Sequence, residues 1–171
     1  MIATVGRTPI AHAEFGPIEL VSKSAKEQAA EAVGPVISAD GRYVAFAGRI
    51  GGHEGVFRVD RQTGAILPVV MFEGGIPGET ARAAMPSISG DGRYVAFNTK
   101  EPLNPAEDQN EQSDVYVADM GNGSPTYELA SAKNGSDEAF EGVSRSAGGV
   151  ALSEDGRRLA FVSEGQVYVR R

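Results

Sequence analysis

The chain has 171 residues, with 16 Lys and Arg against 23 Asp and Glu, a formal charge of −7, no Cys, no Trp and 22 Gly. That length suffices for one domain with a substantial core. The acidic balance leaves no electrostatic footprint for nucleic acid or an anionic membrane, the missing cysteines exclude disulfides and thiolate metal sites, and no apolar run approaches the ~18 residues of a membrane span.

Residues 1–17 are expected to form a flexible leader. Ala11-His12-Ala13 has the small-x-small form of a signal-peptidase site, but Arg7 and Pro9 interrupt the apolar core that an export signal needs. Ile18-Glu19-Leu20-Val21-Ser22-Lys23 then matches Tyr127-Glu128-Leu129-Ala130-Ser131-Ala132. The alanine- and glutamate-rich run Ser24 to Ala32 is the only segment with helical content, and two turns are too short to hold without tertiary support.

One nine-residue phrase follows three times: Ser38-Ala39-Asp40-Gly41-Arg42-Tyr43-Val44-Ala45-Phe46, Ser89-Gly90-Asp91-Gly92-Arg93-Tyr94-Val95-Ala96-Phe97 and Ser153-Glu154-Asp155-Gly156-Arg157-Arg158-Leu159-Ala160-Phe161. In each copy Asp-Gly separates two apolar runs, the strongest short-range signal for a tight hairpin. The run after the turn is apolar on both alternating faces, so that strand must be covered on both sides. A second phrase trails each copy, Val56-Phe57-Arg58-Val59-Asp60, Val115-Tyr116-Val117-Ala118-Asp119 and Val167-Tyr168-Val169-Arg170. Fourth runs follow in the first two copies, at Ala65 to Val70 and Thr126 to Ala130.

Four short antiparallel strands per unit, each sheet buried on both faces by its neighbours, make the blade of a β-propeller. The expected fold class is therefore all-β, with three four-stranded antiparallel propeller blades in an incomplete ring, at about residues 34–72, 84–131 and 147–171. The third blade lacks a fourth strand of its own, and residues 18–23 are an orphan fourth strand suited to that edge. Three blades cannot close, because rings run to ~4 to 8 blades. The chain is thus either part of a longer propeller or one half of a six-bladed homodimer in which each copy donates residues 18–23 to the other.

Ser-x-Asp-Gly-Arg-Tyr-Val-Ala-Phe followed by Asp-Val-Tyr-Val resembles the TolB-type, WD-like β-propeller repeat over roughly residues 18–171. The resemblance implies a role in envelope or secreted complexes, hence a periplasmic or extracellular location. One departure stands out: Ala39, Gly90 and Glu154 occupy the position before Asp-Gly where proline is usual.

The loop between the second and third strands of each unit varies most, and variable loops on one face are where function is placed. The expected binding loops present His53 and Glu54 in the first unit and Glu101, Glu107 and Glu111 in the second. Asp108, Asn110 and Asp114 resemble an oxygen-rich calcium loop of some related propellers, although Glu111 stands where a glycine is expected; the competing expectation is a solvated acidic loop with Asp114 bonding backbone amides. His53 and Glu54 are the nearest thing to an acid/base pair, but neighbours on a hairpin tip are expected to face solvent. Gly142-Val143-Ser144-Arg145-Ser146 fails the last position of a nucleophile elbow. Arg42, Arg93 and Arg157 recur after the turn and are expected to pair along one rim with turn aspartates or carbonyls, an anion-recognising ring being the alternative.

The chain is expected to be a binding or scaffold module that takes protein or peptide on its loop face, with no catalytic residues and no cofactor beyond the calcium just described. The alternatives are a propeller-based hydrolase or lyase, and a structural module of a larger cell-surface protein.

Overall fold

The computed structural model describes residues 16–23, 29–72, 83–109, 112–132, 149–163 and 165–171. Among them lie eleven strands in three antiparallel sheets and no helix. The first sheet runs β1 (Ala30–Ile37), β2 (Tyr43–Ile50), β3 (His53–Asp60) and β4 (Ala65–Phe72) in that spatial order. The second repeats it with β5 (Ala83–Ile88), β6 (Tyr94–Thr99), β7 (Asp114–Asp119) and β8 (Thr126–Leu129). Among the described residues the third has β9 (Val150–Leu152), β10 (Leu159–Ser163) and β11 (Gln166–Arg170), and no described strand pairs with the outer edge of β11.

Helical content does not extend to Ala32. Ala30 to Ala32 belong to β1, which pairs with β2 from Ala30 opposite Arg49, and residues 24–28 lie outside the described residues. Alanine and glutamate favour helix only by fractions of a kcal/mol per residue, and the β2 ladder overrides that preference.

The repeated phrase is a self-contained hydrogen-bonded turn. In the first copy the Ser38 hydroxyl donates to Asp40 Oδ1 at 2.7 Å, the Arg42 N–H donates to the same oxygen at 2.9 Å, and the Tyr43 N–H donates to Ser38 Oγ at 2.9 Å. Ser89, Asp91, Arg93 and Tyr94 repeat the pattern, as do Ser153, Asp155, Arg157 and Arg158. Glycine follows aspartate because the chain there takes φ of +72° at Gly41 and Gly92, a region where a Cβ is strained. Arg42 then forks onto Asp60 at 3.1 and 2.8 Å and Arg93 onto Asp119 at 2.8 and 2.7 Å, tying the second strand of a blade to the end of its third. These arginines bind the strand-end aspartates, not the turn aspartates.

The sheets stack through a directional code. The faces of β2 and β3 that carry Ala45, Ala47 and Val56 meet the face of the second sheet that carries Val95, Phe97, Tyr116 and Leu129. The opposite face of the second sheet, with Ala96 and Val115, meets Leu159 and Phe161. Each later phenylalanine therefore packs on the alanine side of the earlier blade. Phe97 and Tyr116 are completely buried, and sequestering a side chain of that size stabilises the fold by roughly 2–3 kcal/mol.

Tyrosine works in the same direction. The Tyr43 ring covers Gly92 of the next blade and the Tyr94 ring covers Gly156, so closely that a Cβ on either glycine would lie 2.2 or 2.6 Å from the ring. Near the axis the innermost strands β1, β5 and β9 adjoin. There the Ala39 N–H donates to the Gly90 carbonyl at 2.9 Å and the Gly90 N–H to the Glu154 carbonyl at 2.8 Å. Proline before Asp-Gly would delete both donors, which accounts for its absence at Ala39 and Gly90.

Candidate functional site

The ends of the strands opposite the Asp-Gly turns form the loop face. Its first component is the tight β2–β3 turn, where Ile50 pairs with His53. Successive strand residues point to opposite sides, and this separates the two candidates there. Glu54 is buried on the side facing the second blade, its cross-strand partner Phe72 belonging to the main core. His53 lies on the outward side of the first blade, in a groove of about 340 Å³ shared with Ile50, Phe57, Ile66, Pro68 and Met71. Its Nδ1 is buried and meets no hydrogen-bond partner among the described residues. The two side chains therefore do not converge as an acid/base pair.

The second component is the connection from Thr99 to Asp114, whose ends are paired across β6 and β7. Residues 99–108 are held by hydrogen bonds and packing. The Glu101 N–H donates to Thr99 Oγ1 at 3.0 Å, and the N–H groups of Glu107 and Asp108 both donate to the Asn104 carbonyl, at 3.0 and 2.9 Å. Leu103 packs on the main core. The Tyr116 hydroxyl, rising from β7, donates to Asp108 Oδ2 at 2.6 Å with both residues buried. Burial, followed by the bond to Asp108, drives the Tyr116 phenol well above its ordinary pKa of 10.0, so it stays a proton donor.

Asp114 lies at the entrance of β7, fully buried. It accepts the Ser131 hydroxyl at 2.6 Å, and Ser131 Oγ in turn accepts the Val115 N–H at 3.0 Å. Ser131 thus links the Asp114 carboxylate to the backbone at Val115. Neither Tyr116 nor Ser131 was expected as a partner of these aspartates. Tyr116 reads as a core aromatic, and because its repeat position holds Phe57, Tyr116 and Tyr168 in the three copies, the pattern does not mark its hydroxyl for a second task.

Of the predicted site residues, Glu101 and Glu107 are partly exposed on this connection, Asp108 and Asp114 are buried within it, and Asn110 and Glu111 lie outside the described residues. Among the described residues no group of three or more His, Asp or Glu side chains is gathered in a way that could hold a metal ion. The segment Gly142 to Ser146 also lies outside the described residues. No described helix is long and apolar enough to cross a membrane.

The opposite rim carries the arginines. Arg42 and Arg93 are committed to Asp60 and Asp119, whose carboxyls are held below the ordinary value, Asp60 at about 2, chiefly by those guanidinium bonds. The third blade breaks the pattern, with Arg171 at the position of Asp60 and Asp119 and Arg158 at the position of Tyr43 and Tyr94. Arg157, Arg158, Arg170 and Arg171 all border one shallow pocket of about 480 Å³, where Arg170 reaches Glu128 at 3.8 Å.

No protein-family model matches the sequence, and no curated protein matches it either. Solved structures do match. TolB from Acinetobacter baumannii is 20% identical with a TM-score of 0.51, over 80% of this chain and 29% of that one. A structure described as TolB from Agrobacterium tumefaciens is 16% identical with a TM-score of 0.51, over 82% and 46%. A gluconolactonase from Xanthomonas campestris is 11% identical with a TM-score of 0.52, over 88% and 46%. The chain thus spans between 29% and 46% of the length of these proteins. Three stacked antiparallel sheets, one turn motif used three times and this likeness agree that the chain is, by fold, an open β-propeller array of the kind found in TolB.

Proposed function

We propose that the chain is a binding module that takes a protein or peptide partner on its loop face, on the connection that displays Glu101 and Glu107. The observation that carries this is the internal bracing of that connection by the buried Tyr116–Asp108 hydrogen bond and by Leu103. A loop already ordered before binding gives up less conformational entropy when a partner arrives. Glu101 and Glu107 supply polar contacts around the braced loop, and the acidic character favours a partner with basic side chains.

A periplasmic or extracellular setting belongs to the same proposal and rests on the TolB-like repeat. The hydrolase or lyase alternative draws on fold likeness alone, since the chemistry of a propeller lies in the residues grafted on it. Selection of a random dodecapeptide library on the immobilised protein tests the proposal. Enriched peptides are expected to lose binding to a Glu101→Lys/Glu107→Lys variant of unchanged Tm. Peptides that bind the variant equally well, or no enrichment at all, would overturn it.

A further inference from the structure

Both internal blade boundaries use one set of contacts, and every contact has a direction. The earlier blade offers alanines, a tyrosine and an N–H donor, whereas the later blade offers a phenylalanine, a turn glycine and a carbonyl. Among the described residues two faces of the array have no such neighbour, and they are complementary halves of this code.

The outward face of the third blade is of the earlier type. Ala160 and Val162 of β10 sit beside Val169 and Val167 of β11, and those two valines are 61% and 73% exposed. The Glu154 carbonyl accepts from Gly90, whereas the Glu154 N–H meets no acceptor among the described residues. The outward face of the first blade is of the later type. It carries Phe46 and Phe57, the Ala39 carbonyl has no donor among the described residues, and no ring covers Gly41, whose nearest neighbour is the Arg61 guanidinium, 3.7 Å from a Cβ placed there and donating to the Gly41 carbonyl at 2.7 Å. Gly92 and Gly156, by contrast, are covered by rings.

We propose that these faces form one heterologous interface, in which the third blade of one copy of this chain receives the first blade of a second copy. Glu154 N–H then donates to the carbonyl of Ala39 in the second copy, extending the Ala39–Gly90–Glu154 series, and Ala160 takes the place of Ala45 and Ala96 beneath Phe46. Two such contacts close a ring of six blades from two chains, within the ~4 to 8 that propellers use.

Charge supports the choice of occupant. Where the repeat has a tyrosine peg the third blade has Arg158, which would land on Gly41 beside Asp40. The first internal boundary already contains such a contact, because Arg58 crosses to the Gly92 carbonyl at 2.6 Å next to Asp91. The Asp40 carboxylate, kept below its ordinary pKa mainly by the Ser38 hydroxyl, is ionised at neutral pH and suits an arginine.

In the single chain, residues 19–22 lie over part of the first blade's outward face, near Val44 and Phe46. They stand off the sheet, leaving a cleft of about 230 Å³. They are tied by the Arg61–Glu19 ion pair at 2.7 Å and by the Ala29 N–H donating to the Ser22 carbonyl, and Ile18 is wholly exposed. Docking displaces this segment and carries it to the open β11 edge of the other copy, so face docking and exchange of residues 18–23 are one event.

Light-scattering mass across ~1 to 100 μM protein, the range in which interfaces of ordinary size are populated, tests the proposal. The expected result is twice the monomer mass. Val169→Glu places a carboxylate at an exposed strand position, so the monomer should keep its Tm, while the dimer Kd rises about 100-fold or more from burying an unpaired charge. Val167→Glu serves as the second variant should Val169→Glu fail to fold. Because the interface is heterologous, Val169→Glu mixed with Met71→Glu on the opposite face should form a one-to-one complex, although each alone is monomeric. A wild-type chain that stays monomeric throughout, a Val169→Glu or Val167→Glu dimer of unchanged affinity, or a mixture that does not pair would overturn the proposal.

Discussion

Replacing Gly92 by Ala isolates the energy of one blade boundary. Two costs arise there. The backbone sits at φ +72°, where a Cβ costs about 1–2 kcal/mol, and the new methyl would lie 2.2 Å from Tyr43 Cδ2 and 2.6 Å from its Cγ, well inside van der Waals contact. The ring can escape only by leaving its seat, where the Arg58 and Arg42 guanidiniums lie 4.5 and 4.8 Å from its centroid. Overpacking of that kind adds about 1–3 kcal/mol, so the total loss is about 2–5 kcal/mol. Gly64 is the control: its φ is +70° and nothing lies within 4 Å of its Cβ position, so Gly64→Ala should cost only the first part. Urea unfolding at pH 7 reads both values. Tyr43→Ala in the Gly92→Ala background should recover the second part as a positive coupling in a double-mutant cycle. Equal losses for Gly92→Ala and Gly64→Ala would refute the claim that blades register through tyrosine on turn glycine.

Tyr116→Phe strands the buried Asp108 carboxylate and should cost about 1–3 kcal/mol, with faster amide exchange over residues 100–109 as the specific sign. The carboxyls of Asp40, Asp60, Asp91, Asp119 and Asp155 are all held below their ordinary value of 3.8 in the fold, so their contribution is present above about pH 4 and is lost as pH falls below it, for Asp60 through about 2. The Tyr116 phenol has the opposite sign, since its raised pKa removes stability as pH climbs above the ordinary 10.0, and urea melts from pH 2 to 11 show both flanks. Should Asp108, Asn110 and Asp114 hold calcium, the ion at one hundred times its Kd adds about 2.7 kcal/mol and Asp108→Asn abolishes the rise in Tm; an unchanged melt on adding calcium rejects that expectation.

The three turns were legible in the sequence because every interaction that makes them is local. Serine reaches an aspartate two residues on and a backbone N–H five residues on, and glycine supplies the positive φ, so the order of residue types is itself the structure. The apolar runs on both sides of each turn likewise imply strands covered on both faces, which is why a stacked array follows from pattern alone. What sequence spacing could not determine is which distant group each residue meets. The Ala39 N–H finds Gly90 and Asp108 finds the Tyr116 hydroxyl, and His53 and Glu54 part to opposite sides of β3. Ala30 to Ala32, helix-favouring in isolation, become strand because β2 lies alongside. Local hydrogen bonds are encoded by neighbours along the chain, whereas these partners are chosen when whole sheets pack, and that choice belongs to the tertiary structure.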